Sequence, residues 1–221
     1  MKKFHFLLCS LFLFISHSQA QDKSKYELGF QAGLVLGTAS DKNSQIQDEI
    51  SGVGLGIHAK KNLGTNLALI IKFNYEQQGW SYKNLVLESP YPSGPPFLNA
   101  DFLKRMAYLN VPILAEYSFG SKIRFHFNGG IFAGLLLESS SITRYENGGP
   151  DFESSPGGVY KQFNAGLATG IGISYPLSKA LKINLETSQQ FGLLNVEDNP
   201  QFNSTIRLNA FSFMTGLSFS F

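Results

Sequence analysis

From Tyr26 onward, apolar and polar residues alternate one by one through eight stretches. This period puts successive side chains on opposite faces of a β-strand. In the first stretch Tyr26, Leu28, Phe30, Ala32, Leu34 and Leu36 share a face, opposed by Glu27, Gly29, Gln31 and Gly33. Val53, Leu55, Ile57 and Ala59 follow, against Gly54, Gly56, His58 and Lys60. Leu67, Leu69, Ile71, Phe73 and Tyr75 make the third apolar face, and Leu109, Val111, Ile113, Ala115 and Tyr117 the fourth. The fifth runs from Ile123 to Leu137, the sixth from Phe163 to Tyr175, the seventh from Leu181 to Phe191 and the eighth from Phe211 to Phe221. None of the eight apolar sets contains a charged residue.

A soluble β-sandwich also alternates, but three features favour a membrane barrel. Several runs reach the roughly 9–11 residues of a tilted transmembrane strand, against about 5–6 for an average soluble one. The polar faces are rich in glycine, which a crowded, narrow lumen needs and a wet surface does not. Connections alternate in length, short at 61–66, 118–122 and 176–179 and long at 38–51, 78–101, 138–160 and 194–205. The expected fold is all-β: an eight-stranded antiparallel transmembrane β-barrel with short periplasmic turns and four long external loops. Its termini then lie at the periplasmic rim. Tyr26, Tyr117, Tyr175 and Phe221 girdle that rim, with Tyr75, Phe163 and Phe191 toward the other. Arg105 interrupts the fourth apolar face near the external end, within reach of headgroup phosphates. Pro112 removes one ladder hydrogen bond, and a bulge is expected there.

Residues 1–20 stand apart from this pattern. Lys2 and Lys3 precede an apolar segment, Phe4 to Ile15, too short to span a bilayer as a helix. Ser18 and Ala20 place small residues for signal-peptidase cleavage before Gln21. Cys9 follows Leu8 inside the apolar segment, not the small residues of a lipoprotein signal. Loss of this segment leaves residues 21–221 as the barrel, with sixteen basic and sixteen acidic residues and no cysteine. Zero net charge argues against nucleic acid as a partner.

Three segments carry a family likeness. Tyr108-Leu109-Asn110-Val111-Pro112-Ile113-Leu114 resembles a characteristic strand of the PorT-like outer-membrane β-barrel family. Asn128-Gly129-Gly130-Ile131-Phe132-Ala133-Gly134 is similar to its glycine-rich fifth strand, and Phe191-Gly192-Leu193-Leu194-Asn195 to a segment near its end. The resemblance spans the chain after the signal segment. It implies an eight-stranded barrel in the cell outer membrane and a link to protein secretion, and supplies no catalytic residues. Gly216-Leu217-Ser218-Phe219-Ser220-Phe221 resembles the terminal signal read by the barrel-assembly machinery, with Gly216, Phe219 and Phe221 as its key positions.

An eight-stranded barrel is just wide enough for side chains to fill it. The inward set includes Lys60, Lys72, Arg124 and Lys182 against Glu27, Glu76, Glu116 and Glu186, an even balance that predicts internal ion pairs. Glu76 and Glu116 are the expected partners of Lys72; a proton path through Glu76, Glu116 and His126 is the sharper alternative. His58 and His126 fall on lumen positions and have no ligand spacing for zinc, so no metal site is expected. Asp41, Asn43, Asp48 and Glu49 lack the turn glycine of a calcium loop and read as a solvated acidic loop. No cofactor motif or catalytic constellation stands out, and an enzyme is not expected.

The external loops remain. Residues 79–101 combine Trp80, Tyr82, Tyr91 and Phe97 with four prolines, which suits a partner-binding loop or one folded over the barrel mouth. The functional expectation is a binding or assembly role in the envelope, among outer-membrane lipid and an envelope protein partner. A small pore is the alternative and an envelope enzyme a remoter one.

Overall fold

The computed structural model describes residues 25–41, 48–88, 97–145, 151–154, 160–198 and 205–221. The signal segment, Asn43 and Tyr91 lie outside these residues. Among the described residues nine strands appear in order: β1 (Tyr26–Asp41), β2 (Asp48–Asn62), β3 (Leu67–Glu88), β4 (Phe97–Phe119), β5 (Arg124–Tyr145), β6 (Phe152–Ser154), β7 (Phe163–Pro176), β8 (Leu181–Gly192) and β9 (Ile206–Ser220). Eight of them form one closed antiparallel ring, each paired with its chain neighbours, and β1 meets β9 from Glu27↔Ser220 to Asp41↔Ile206. The short β6 pairs only with upper β5, at Ser141–Thr143. A closed ring leaves no sheet edge, so its backbone polar groups are satisfied internally, as a bilayer demands.

The expected faces are the observed ones, and they are inverted relative to a soluble protein. Leu34, Ile57 and Ile131 are each 60% exposed or more, while the lumen residues Glu76 and Asn110 are at most 1% exposed. Such an outer belt is stable only against hydrocarbon. Aromatic rings mark the end that carries the short turns, which is the periplasmic end of an outer-membrane barrel. Tyr26 stacks on Phe221 at 6.5 Å, and Phe119 stacks on Phe125 and Phe127.

Lumen crowding accounts for the glycines. A Cβ at Gly56 would lie 2.0 Å from the Asn74 carboxamide oxygen, and one at Gly172 would lie 2.4 Å from His126 Nε2. These positions are bare because a long polar side chain from the next strand crosses them.

Two expectations are corrected. Residues 79–88 and 97–101, read as loop, are strand, and so are 138–145. The β3, β4 and β5 strands thus run 22, 23 and 22 residues, twice what the bilayer requires, and β8 only 12. No bulge occurs at Pro112. The β3–β4 register is the same on both sides of it, with Ile71↔Ile113 and Asn74↔Asn110, and the irregularity between β4 and β5 lies at Ala107/Tyr108. Pro112 points into the lumen and costs pairing locally without moving the strand.

Candidate functional site: a lumen closed in tiers

Alternation aims one side chain in two at the barrel axis, and the tiers they build differ in chemistry. Nearest the periplasm, Lys182 Nζ lies 2.5 Å from Glu27 Oε1, which also accepts from Asn62 Nδ2, and Lys60 Nζ lies 2.6 Å from Glu116 Oε1. Above them Lys72 Nζ reaches across the lumen to Glu186 Oε1 at 2.5 Å. The second Glu186 oxygen accepts from Asn128 Nδ2 at 3.1 Å and lies 3.5 Å from His126 Nε2. His58 Nε2 and Ser218 Oγ are 3.1 Å apart beside a cavity of about 40 Å³, little more than one water's share of liquid volume. Buried charges need partners, and six of the eight predicted lumen charges have one of opposite sign.

Glu76 is the seventh. Among the described residues it makes no ion pair, correcting its expected pairing with Lys72. Asn110 Nδ2 donates to it at 2.6 Å, Asn74 Nδ2 at 3.0 Å and Gln190 Nε2 at 2.9 Å, and Gln31 braces Asn74 at 3.0 Å. Glu116, the other expected partner of Lys72, is taken by Lys60. Among the described residues the eighth charge, Arg124, bonds neutral oxygens, Thr65 O at 2.8 Å and Ser118 Oγ at 2.6 Å.

Above Glu76 the lining turns apolar. Ala39, Trp80, Met106, Tyr108, Val196, Ile206 and Leu208 form one buried cluster. Trp80 is 2% exposed and meets Tyr160 edge-on at 6.0 Å. Lys104 is also buried here; it contacts Ser141 and lies 4.6 Å from the Tyr160 ring centre. Burial, with Glu197 nearby, pushes the Tyr160 phenol above its usual pKa. A Cβ at Gly79, whose φ is +155°, would lie 1.9 Å from Lys104 O, so β3 and β4 close on each other here only around glycine.

The predicted loop residues therefore do not form one exposed group. Trp80 lies inside the mouth, because the chain at this height is strand and alternation turns the indole inward; Tyr82 is half-buried against the same cluster. Phe97 begins β4, and Tyr91 lies outside the described residues. Of the terminal set, Gly216 pairs with Gln31 and a Cβ there would lie 2.4 Å from Phe30 O. Phe219 faces outward at 50% exposure, and Phe221 exchanges backbone hydrogen bonds with Tyr26. All three stand on the seam that closes the barrel.

These side chains occupy the lumen at three heights. Glu76, Glu116 and His126 belong to three separate clusters, not to one relay. His58 and Ser218 touch like two members of a hydrolytic triad, but His58 Nδ1 is buried with no hydrogen-bond partner to orient it. Among the described residues no cluster of His, Cys, Asp and Glu could hold a metal ion. Sequence reasoning placed Glu186 among the inward charges but not as the partner of Lys72, and it missed Gln190 as a donor to Glu76 and Lys104 as a buried cation.

The chain is similar to the neisserial surface protein NspA, at 13% identity and TM-score 0.46 over 91% of this chain and 100% of that one. It is similar to the outer membrane protein OprG from Pseudomonas aeruginosa, at 12% and 0.47 over 92% and 99%. It is also similar to the outer membrane protease OmpT from Escherichia coli, at 12% and 0.41 over 93% and 99%. No curated protein matches it. Residues 18–198 match the outer membrane protein beta-barrel domain. With more than half its length matched, the chain belongs to that family and resides in the outer membrane.

Proposed function

We propose that this barrel is a non-conducting scaffold with a binding or assembly role, and that recognition lies on its external extension. The observation that carries the reading is the tiered closure, from Lys182–Glu27 through Lys72–Glu186 to the Trp80 cluster. A pore needs a wet path, whereas this interior is filled at three heights by different chemistry. Upper β3, β4 and β5 with β6 rise above the lipid belt and offer surface to an envelope protein, as loops on rigid scaffolds do. The Tyr108–Leu114 likeness supports placing the chain near PorT-like barrels, with a link to secretion. Cleavage before Gln21 and reading of Gly216, Phe219 and Phe221 by the barrel-assembly machinery complete the proposal.

Planar-bilayer recording tests it: the purified protein gives no steady conductance. In parallel, replacing residues 89–96 with a short Gly-Ser linker leaves a heat-modifiable barrel that loses its crosslinked outer-membrane partner. Large stable channels would establish the pore reading instead.

A further inference from the structure

The formal charges balance overall but not by height. At the periplasmic end Lys25, Lys60, Lys61, Lys122, Arg124, Lys179 and Lys182 face only Glu27 and Glu116 among the described side chains. Lys60 and Lys182 are taken by those two carboxylates. No described carboxylate pairs with Arg124, whose guanidinium donates to one carbonyl and one hydroxyl oxygen. Directly beside it lies a cavity of about 200 Å³, room for roughly six waters. Lys60, Lys182, Asn62, Thr65, Ser118 and Ser174 line it with Arg124, and Glu27 adds one carboxylate, so three cationic side chains there outnumber one anionic one.

We propose that this periplasmic mouth is a binding site for a phosphate-bearing anion. The planar guanidinium supplies paired donors, each lysine ammonium keeps N–H groups beyond the one bound to its carboxylate, and the hydroxyls of Thr65, Ser118 and Ser174 face the other oxygens of a tetrahedral group. The exposed Lys61, Lys122 and Lys179 surround the opening and raise the local anion concentration, an effect that salt screens. The lumen above is shut, so the site is a blind cup, filled and emptied from the periplasm. The phosphate comes either from a soluble ester or from a phospholipid headgroup of the inner leaflet.

The test uses the whole folded protein in a zwitterionic detergent. Glycerol phosphate is titrated calorimetrically in one arm, and native mass spectrometry compares retained phosphatidylglycerol with phosphatidylcholine in the other. Saturable binding in either arm that falls at least tenfold in Arg124→Gln supports the site, and the responding arm identifies the source. Ser174→Asp, which places a competing carboxylate in the cavity, abolishes binding and covers the case in which Arg124→Gln misfolds. Absence of saturable binding in both arms overturns the proposal. So does binding that survives in folded Arg124→Gln or Ser174→Asp and is lost only in the triple Lys61→Gln, Lys122→Gln, Lys179→Gln variant, which would make it a surface charge effect.

Discussion

Below Glu76 the lumen is held by charges from β1, β2, β3, β4, β5 and β8 meeting across the axis; above it, a cluster of seven apolar side chains dominates, with Lys104, Ser141 and Glu197 buried beside it. The halves resist damage differently. An ion pair is sensitive to losing one member, because the survivor is a desolvated charge, and tolerant of losing both. An apolar cluster is sensitive to volume, and no second substitution on a charge repairs it.

The largest effect is expected above. Trp80→Ala empties the centre of the apolar cluster and lowers unfolding stability by about 4 kcal/mol, whereas Trp80→Phe costs about 1 kcal/mol. Urea titration of the barrel in lipid vesicles reads both, and equal costs for the two would mean that the indole does not pack as described. Next comes Lys72→Ala, at about 3 kcal/mol, since Glu186 keeps only His126 and Asn128. Adding Glu186→Gln to Lys72→Met recovers most of that loss. A double variant as unstable as the sum of the singles removes the contrast between the halves. The smallest effect belongs to Gly172→Ala. Its methyl presses on His126 and on Leu185 O, for about 1–3 kcal/mol in the same titration. The loss shrinks when His126→Ala makes room, unless the Leu185 backbone contact dominates.

The two halves were also unequally legible. Below Glu76, lipid on one side and lumen on the other impose strict alternation, so Leu69, Ile71 and Phe73 declare the outer face and Lys72 and Asn74 the inner. Their partners were hidden. Lys72 meets Glu186 through space across the barrel, and neighbouring-strand register, which suggested Glu116, says nothing about a contact across the axis. Above the belt there is no hydrocarbon to enforce alternation, so Gln77-Gln78-Gly79 reads as the end of a strand although β3 continues to Glu88. For that reason the pattern places Trp80 in a loop, partner-binding or folded over the mouth, and not on a strand. The terminal seam was visible because Phe219 and Phe221 must meet lipid and rim whatever else the chain does.

The unequal strand heights give the molecule a front and a back. A wall of three long strands, β3 to β5 with β6 laid against it, stands on one side of the mouth, and β8 ends after 12 residues on the other. Among the described strands the outer rim is a half-collar, so every surface it carries has a fixed bearing about the barrel axis, a coordinate that a symmetric barrel would leave undefined.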